Sequence, residues 1–238
     1  MSKSIIAVIN QKGGVGKTTT VINLASSLSI MGQNNLIIDL DPQGNATTGL
    51  GKSNNDENKN IYNILIKKKT ISDVLQKTSI DGLDLIGSNV NLSGFEVESA
   101  NDSNRAFILK KIIEDENMIL DKYDNIFIDC PPSLSLLTIM ALVSATEIIV
   151  PLQTEFFALE GVTQLVKTVE RIKIKLNPDL KVRGIVLTMF DKRNKLSAQV
   201  NTEARNYFKE KVYRTVIPRN VRLSEAPSHG QPCVIYDK

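Results

Sequence analysis

The residues best suited to chemistry in this chain are the lysines and threonines of a glycine-rich run near its N-terminus, QKGGVGKTT. Gly16, Lys17 and Thr18 fit the end of the phosphate-binding pattern G-x-x-x-x-G-K-[ST], whereas Gln11 replaces its first glycine. In such a loop, backbone N–H groups cradle phosphate oxygens, the lysine reaches the β- and γ-phosphates, and the hydroxyl binds Mg²⁺. Lys12 is a second lysine that this scheme leaves without a role. The residues expected to bind nucleotide here are Gly13, Gly14, Val15, Gly16, Lys17, Thr18 and Thr19.

Three carboxylates lie at the ends of two apolar runs. Asp39 and Asp41 are two residues apart at the end of the run LIIDLD, so both side chains leave the same face of an extended strand. Beside a phosphate loop, Asp41 is expected to orient an attacking water and accept its proton, and Asp39 to bind Mg²⁺ through water. A turn that begins at Asp41 and Pro42 is the alternative interpretation. Asp129 ends the run NIFID and is expected, with Thr18, to anchor Mg²⁺.

The elements that must position these residues alternate between strand and helix along the chain. Short apolar runs are typical of strands covered on both faces, and segments with helical spacing of apolar residues separate them. This alternation predicts an α/β fold with a doubly wound, mostly parallel sheet flanked by helices. The glycine-rich loop between the first strand and the first helix adds the P-loop NTPase class. The predicted strands are 4–10, 36–40, 83–87, 124–129, 146–151, 182–189 and 213–217. The predicted helices are 17–31, 60–67, 70–77, 103–120, 134–143, 158–176 and 197–210.

Length and composition favour a single domain over 1–238. The chain has 238 residues, of which 42% are hydrophobic and 23% are charged. No apolar run reaches the length that spans a membrane, and the N-terminus has no signal-peptide pattern. Cys130 and Cys233 lie far apart without metal-ligand spacing, which indicates a reducing, cytoplasmic setting. No helix is predicted after residue 210, which fits either a natural end or a domain that lacks a C-terminal helix.

The charges are unevenly distributed along the chain. Residues 1–166 hold 13 Lys and Arg against 19 Asp and Glu, whereas residues 167–238 hold 16 against 7. A basic final third favours a face that binds a polyanion. A solvated, lysine-rich surface explains the same counts equally well, because residues that are close in sequence need not form one patch.

Five segments of the chain resemble the ParA/Soj family of chromosome- and plasmid-partitioning ATPases, which belongs to the deviant-Walker group that includes MinD. The matching segments are NQKGGVGKTT (10–19), DLDPQGNAT (39–47), IDCPPS (128–133), LTMFD (187–191) and IPRNVRLSEAPSHG (217–230). The first motif is shared across the wider group, whereas the last is typical of the chromosomal Soj-like branch. The resemblance extends over essentially the whole chain and implies the fold predicted above.

The resemblance implies an ATPase with weak intrinsic activity that uses ATP and Mg²⁺. In this family two ATP-bound monomers sandwich their nucleotides, and the lysine at the Lys12 position crosses to the partner's phosphates, as an arginine finger does. Lys12 then joins the nucleotide-binding residues, and Lys12, Lys17 and Asp41 are the expected catalytic residues. The alternative for Lys12 is a solvated loop lysine. The stretch around Pro218 and Asn220 lies by the adenine in this family, so both are expected to bind the nucleotide.

The resemblance also implies non-specific DNA binding by an ATP-dependent homodimer, a centromere-binding partner of the ParB type, and a cytoplasmic, nucleoid-associated location. DNA phosphates need Lys and Arg on one face of the protein and give salt-dependent binding without base specificity. Arg205 and Lys209 are four residues apart on a predicted helix, while Arg222 is also placed to pair with Glu225. Each candidate is alternatively an ordinary surface cation. The candidate DNA-binding residues are Arg193, Lys195, Arg205, Lys209, Arg214, Arg219 and Arg222.

Two other functions compete with the partition ATPase. A MinD-like membrane-positioning ATPase predicts a basic amphipathic C-terminal helix, which the sequence does not show, so no membrane partner is expected. An iron–sulfur carrier predicts clustered cysteines that bridge a subunit interface, whereas Cys130 and Cys233 are isolated. These residues leave open whether the cargo is a chromosome, a plasmid or another assembly.

Overall fold

The computed structural model describes residues 3–155 and 158–237, and within them eight strands form one sheet. The strands are β1 (Ser4–Val8), β2 (Asn35–Asp39), β3 (Gln76–Lys77), β4 (Leu83–Ile86), β5 (Asn125–Asp129), β6 (Glu147–Gln153), β7 (Lys181–Phe190) and β8 (Val212–Pro218). Their order across the sheet is β3-β4-β2-β5-β1-β6-β7-β8. Every neighbouring pair is parallel except β3 with β4. The sheet therefore confirms the predicted doubly wound α/β fold.

Helices pack on both faces of this sheet. The α-helices are α1 (Lys17–Ile30), α2 (Asn45–Gly49), α3 (Ile61–Leu65), α4 (Ile71–Val74), α5 (Phe95–Glu98), α6 (Ile108–Asp115), α7 (Asn117–Leu120), α8 (Leu136–Ser144), α9 (Ala158–Lys175), α10 (Lys195–Phe208), α11 (Arg222–Glu225) and α12 (Cys233–Tyr236). Short 3₁₀ helices cover Val90–Gly94, Arg105–Phe107, Lys209–Lys211 and Ala226–His229. The larger apolar core joins helices α3 to α10 to one face of the sheet, and a second core joins α1 and α2 to the other.

The central strands are apolar because both of their faces are covered. β2 is buried along its whole length, and β1 and β5 are buried except at their first residues. A strand covered on one face alternates apolar and polar residues, whereas these runs are nearly continuous. In β2 and β5 an acidic residue occupies the last position, Asp39 and Asp129 respectively. Those carboxylates are therefore held at the edge of the sheet by the apolar strands that precede them.

The predicted elements differ from the structure mainly where a tertiary contact intervenes. All the predicted strands are present, with ends that shift by one or two residues. The helix predicted over 70–77 is wrong in its second half, because residues 76–77 form β3, antiparallel to β4. The helix predicted over 103–120 is divided into a 3₁₀ turn, α6 and α7. It breaks at Glu116, whose carboxylate accepts a hydrogen bond from the Ile71 N–H at 2.9 Å. Helices α2, α5, α11 and α12, each of four or five residues, were not predicted.

Parallel pairing brings the carboxyl ends of three central strands to one edge of the sheet. Asp39 at the end of β2 and Val8 at the end of β1 are both register partners of Asp129 at the end of β5. The glycine-rich run lies between β1 and α1, so it starts at the same edge. The fold thus places the loop beside the carboxylates that the sequence singled out.

Candidate functional site

The glycine-rich loop joins the central strand β1 to α1 through backbone conformations that favour glycine. Gly14 and Gly16 have φ angles of 73° and 89°, in the left-handed region that other residues rarely adopt. Gly16 is the N-cap of α1, and no side chain caps that end of the helix. The first N–H groups of α1 and the positive end of its dipole therefore face the loop. This arrangement is suited to binding phosphate.

Lys17 is the buried lysine of the loop. Only 7% of the residue is exposed, and its Nζ donates a hydrogen bond to the carbonyl oxygen of Lys12 at 3.2 Å. Burial lowers the pKa of Lys17, and the carboxylates of Asp129 and Asp41 act in the opposite direction. The amine therefore lies between the loop backbone and the acidic strand ends. The predicted contact of Lys17 with β- and γ-phosphates is compatible with this position and stays a prediction.

Asp129 is a fully buried carboxylate, and neither of its oxygens has a hydrogen-bond partner among the residues that the structure describes. Burial and the charge of Asp39 raise the pKa of Asp129 well above its ordinary value, while the nearby Thr18 hydroxyl and Lys17 act to lower it. A buried carboxylate without a partner is costly. A hydrated Mg²⁺ would supply the missing partner, so Thr18 and Asp129 fit the metal role predicted for them.

A cation at this position would be bound mostly by oxygens that the protein does not supply. Across residues 3–155 and 158–237, no group of three or more His, Cys, Asp or Glu side chains has metal-binding geometry. Mg²⁺ in nucleotide sites is typically held by one or two protein groups, with phosphate and water oxygens completing the octahedron. One hydroxyl and one carboxylate, from Thr18 and Asp129, are therefore a sufficient protein contribution.

Asp39 holds the segment after β2 in place. Its carboxylate accepts hydrogen bonds from the Thr47 N–H at 2.8 Å, the Thr47 hydroxyl at 2.7 Å and the Asp41 N–H at 3.2 Å. Burial raises the pKa of Asp39 to about 6, against the effect of these bonds. The Thr47 oxygen also accepts from the Ser88 N–H at 2.9 Å, which joins this segment to the end of β4. The geometry gives Asp39 a positioning role, and its contact with Mg²⁺ through water stays a prediction.

Asp41 begins a turn at the same edge of the sheet. Its Oδ1 accepts from the Gln43 N–H at 2.9 Å, and its carbonyl oxygen accepts from the Gly44 N–H at 2.9 Å. The turn interpretation is therefore confirmed. The residue is only 7% exposed, and its charge acts to raise the pKa of Lys17. A turn and a catalytic carboxylate are compatible at this position, and the proposed action of Asp41 on water stays a prediction.

Lys12 has the opposite environment from Lys17. Its side chain is 49% exposed, and its Nζ pairs with the carboxylate of Glu155, just beyond β6. The Lys12 N–H donates to Asn10 Oδ1 at 3.0 Å, and Asn10 Nδ2 donates to the Pro151 carbonyl oxygen at 2.7 Å. Sequence reasoning missed both Asn10 and Glu155. Asn10 had a signal, as a polar residue that follows an apolar strand, whereas nothing in the sequence pattern marks Glu155.

Pro218 and Asn220 line a cavity that begins at the loop. The cavity has a volume of about 860 Å³, and Gly16, Thr19 and Thr20 are also in its wall. The segment after β8 therefore lies beside the first turn of α1. A base bound against Pro218 and Asn220 would be next to phosphates on the loop, as the adenine prediction requires.

The candidate DNA-binding residues do not form one patch. Arg193, Lys195 and Arg219 follow the carboxyl ends of β7 and β8 and are exposed. Arg193 pairs with Asp191 at 3.0 Å, and Arg219 is close enough to act on the pKa of the same carboxylate. Lys209 precedes β8 and lies at the opposite edge, because β7 and β8 are parallel.

The prediction that Arg205 and Lys209 share one face of a helix is wrong. α10 ends one residue before Lys209, which has a φ angle of 52° and turns the chain into β8. The guanidinium of Arg205 is half-buried and donates to the carbonyl oxygens of Tyr213 and Arg214, both at 3.1 Å. Arg205 therefore binds the start of β8 to α10, which limits its freedom to contact DNA.

The remaining two cations differ in their surroundings. Arg214 is exposed within β8. Arg222 pairs with Glu225 at 2.9 Å and lies 3.6 Å from Asp237, so the alternative predicted for Arg222 is confirmed. Exposed pairs of this kind are weak and leave the arginine able to exchange partners.

The site and the fold together define a class of protein. A glycine-rich loop between a central parallel strand and a helix, with acidic ends of neighbouring strands beside it, is the nucleotide site of a P-loop NTPase. None of the helices in the described residues combines the length and the apolar character needed to cross a membrane.

Comparison with known proteins agrees with this class. Residues 3–182 match the family model described as an AAA domain. The chain is 48% identical to sporulation initiation inhibitor protein Soj of Bacillus subtilis, over 98% of the chain and 91% of that relative. It is also 48% identical to chromosome partitioning protein ParA of Caulobacter vibrioides, over 98% of the chain and 87% of that relative. The chain belongs to the ParA/Soj family of chromosome-partitioning ATPases.

A solved structure shows the ligands of a related site. Cobyrinic acid a,c-diamide synthase from Mycobacterium smegmatis, with bound ATP analog and magnesium, is 34% identical to the chain and superposes with a TM-score of 0.85. The match covers 92% of this chain and 86% of that one. An adenine nucleotide and Mg²⁺ are therefore the cofactors of this class of site, as the sequence predicted.

Proposed function

We propose that the chain is an ATP-driven partition switch. With ATP bound, it forms a homodimer that binds DNA non-specifically, and hydrolysis stimulated by a ParB-type partner releases it. Chromosome or plasmid cargo then follows the moving boundary of DNA-bound protein. In this proposal the chain hydrolyses ATP slowly, as a timer, and resides on the nucleoid in the cytoplasm.

The observation that carries the proposal is the opposite placement of the two loop lysines. Lys17 is buried against the loop backbone and the acidic strand ends, whereas about half of the Lys12 side chain is exposed. A phosphate loop needs one lysine for its own β- and γ-phosphates. A second, exposed lysine is suited to the phosphates of another copy, where a cation supplied in trans stabilises the charge on the transferred phosphoryl group.

The dependence of the dimer on ATP follows from charge. When two copies face each other through their loops, two Lys12 ammonium groups approach the same interface. The γ-phosphate supplies negative charge that offsets their repulsion, and it is absent from ADP. We therefore expect ATP to favour the dimer and hydrolysis to weaken it.

The chain's own residues divide the work of hydrolysis. Thr18 and Asp129 would hold Mg²⁺, which neutralises phosphate charge when bound. Asp41 would orient the attacking water and accept its proton. Lys17 in its own loop and Lys12 of the opposite copy would stabilise the charge on the phosphoryl oxygens.

DNA binding is assigned to exposed cations of the basic final third. Arg193, Lys195 and Arg219 lie near one another at the edge of the sheet that carries the nucleotide site. We expect a dimer that forms at that edge to place these cations beside the interface. Lys209, Arg214 and Arg222 supply further positive charge elsewhere on the same third of the chain, whereas Arg205 is bound to the backbone.

The proposal is tested by measuring binding to a random-sequence DNA duplex without nucleotide, with ADP and with ATP, over a series of salt concentrations. Lys12→Ala and Arg193→Ala are measured alongside, with Lys111→Ala as the control. Lys111 is an exposed lysine of α6, in the acidic part of the chain. Dimer formation is followed in the same samples by light scattering.

We expect binding only with ATP, and a steep fall in affinity with rising salt because condensed counterions are released from DNA. Lys12→Ala should form no dimer and bind no DNA. Arg193→Ala should dimerise but bind DNA more weakly and with a smaller salt slope. Lys111→Ala should match the unmodified chain. An ATP-dependent dimer that binds no DNA at low salt contradicts the proposal.

A further inference from the structure

The segment just beyond β6 contacts the phosphate loop through the side chain of Glu155. The Glu155 carboxylate pairs with Lys12 Nζ and also accepts a hydrogen bond from the Gln153 side chain. Glu155 and Lys12 are 143 positions apart, so only the parallel pairing of β1 with β6 brings them together. The contact is thus a product of the fold rather than of local sequence.

Neighbouring contacts fix the position of this carboxylate. Thr154 is buried, and its hydroxyl donates to Ser197 Oγ of α10 at 3.1 Å. Thr188 of β7 donates from its hydroxyl to the Val15 carbonyl oxygen of the loop at 2.8 Å, and its own carbonyl accepts from the Thr154 N–H at 3.4 Å. The loop and the segment that carries Glu155 are therefore anchored to the same strand.

We propose that Glu155 is a positioning residue that holds Lys12 over its own loop until a triphosphate on a second copy competes for the lysine. The inference rests on the proposed function, in which Lys12 acts on the partner's nucleotide. The pairing in cis gives the ammonium group a carboxylate partner while no γ-phosphate is present. On dimer formation Lys12 exchanges one carboxylate for the more highly charged phosphates.

The exposure of the pair makes this exchange feasible. The side chains of Lys12 and Glu155 are 49% and 45% exposed, so solvent screens their attraction. Exposed ion pairs are weak, and a charge-assisted contact with phosphate is stronger. Lys17 does not compete for Glu155, because it is buried beside Asp129 and Asp41. Glu155 therefore tunes the switch without preventing it.

The pairing is tested first in the nucleotide-free chain, independently of any dimer. A limiting amount of an amine-acylating reagent is added, and the modification of Lys12 is quantified by peptide mass spectrometry. Glu155→Gln removes the charge, Glu155→Asp retains it, and Glu160→Gln removes an exposed carboxylate from the first turn of α9 as the matched control. Lys111 is the internal reference for general reactivity.

We expect Lys12 modification to rise about two- to fivefold in Glu155→Gln, the range set by the strength of an exposed ion pair. Glu155→Asp should stay nearer to the unmodified chain, and Glu160→Gln should not differ from it. Equal Lys12 modification in Glu155→Gln and Glu160→Gln overturns the inference, because it means that the carboxylate does not hold the amine.

The second measurement is the ATP concentration that half-saturates dimer formation. Without its competitor in cis, Lys12 should be released more readily, so Glu155→Gln should lower this concentration by about two- to fivefold relative to Glu160→Gln. An unchanged or raised concentration overturns the role of Glu155 in the switch. If the unmodified chain forms no ATP-dependent dimer, the proposed function fails, whereas the acylation result still decides whether Glu155 holds Lys12.

Discussion

Thr47 connects the acidic end of β2 to the end of β4, and its substitution by valine tests how the carboxylates of the site are held. The residue is 1% exposed, and its hydroxyl donates to Asp39 at 2.7 Å while its oxygen accepts from the Ser88 N–H at 2.9 Å. Valine keeps the shape and removes both bonds. The variant loses a hydrogen bond to the charged Asp39 and leaves the buried Ser88 N–H without a partner. Together these losses should lower the free energy of unfolding by about 3 kcal/mol.

Thr47→Ser is the matched control, because it keeps the hydroxyl and removes only a buried methyl group. That change should cost about 1 kcal/mol, so the two variants should differ by about 2 kcal/mol. Urea-induced unfolding of the nucleotide-free and Mg²⁺-free chain, followed by circular dichroism at pH 7, measures the difference. These conditions exclude stabilisation by ligand, so the difference reports only what the Thr47 side chain contributes in the free chain.

A valine variant within about 0.5 kcal/mol of the serine variant would refute the reasoning. It would mean that the Ser88 N–H finds another partner and that Asp39 does not depend on the hydroxyl. The backbone bond from the Thr47 N–H to Asp39 remains in both variants, so the comparison isolates the side chain.

Three further outcomes follow from the same structure. Tyr123→Phe removes the 2.6 Å hydrogen bond to the buried Asp84 and should cost about 1–2 kcal/mol at pH 7 by urea unfolding. Burial acts to raise the pKa of Asp84, but hydrogen bonds from Tyr123 and Lys77 lower it overall. The stability lost in Tyr123→Phe should therefore shrink as pH falls below the pKa of this carboxyl in the unfolded chain, about 4. A loss that does not change with pH contradicts the assignment. Asp129→Asn should not destabilise the nucleotide-free chain, because neither carboxylate oxygen has a partner among the described residues, and it should abolish the Mg²⁺ dependence of ATP binding measured by calorimetry. For the unmodified chain, ATP at about 100 times its Kd with Mg²⁺ should add about 2.7 kcal/mol to the free energy of unfolding, and a chelator of Mg²⁺ should remove most of this gain. A thermal midpoint that does not change when the chelator is added argues against the metal role.

The fold was predictable because its central strands are covered on both faces. After their first residue, β2 and β5 are continuous apolar runs that end in an acidic residue. The errors occur where a tertiary contact decides between local alternatives. Gln76 and Lys77 have no strand signal of their own and become β3 only because β4 offers an unpaired edge. Likewise, Glu116 leaves the helical pattern to cap the first turn of α4.

The residues of the site also fall into a group that the sequence predicted and a group that it did not. The loop and the carboxylates were predictable, because phosphate binding requires particular residues at a fixed spacing next to a strand. The residues that hold them were not, because a partner such as Thr47 or Glu155 is defined by its place on a neighbouring strand rather than by its distance along the chain. The sequence also did not predict that the basic residues are separated in space. Arg193 and Lys209 are close in sequence, but they lie at opposite edges of the sheet because β7 and β8 are parallel.

The two lysines of the loop are held by different parts of the fold. Lys17 is the first residue of α1 and is buried at the site. Burial lowers its pKa, while the charges of Asp129 and Asp41 favour its charged form. Lys12 comes before the left-handed glycines, on the outer side of the loop, where its charge is held by Glu155 rather than by the acidic strand ends. Gly14 and Gly16, with their left-handed φ angles, form the turn that separates the two lysines in the loop. The proposed dimer requires an exposed cation of this kind beside a loop that already has its own buried lysine, because the phosphates of a second copy would then compete with Glu155 for Lys12.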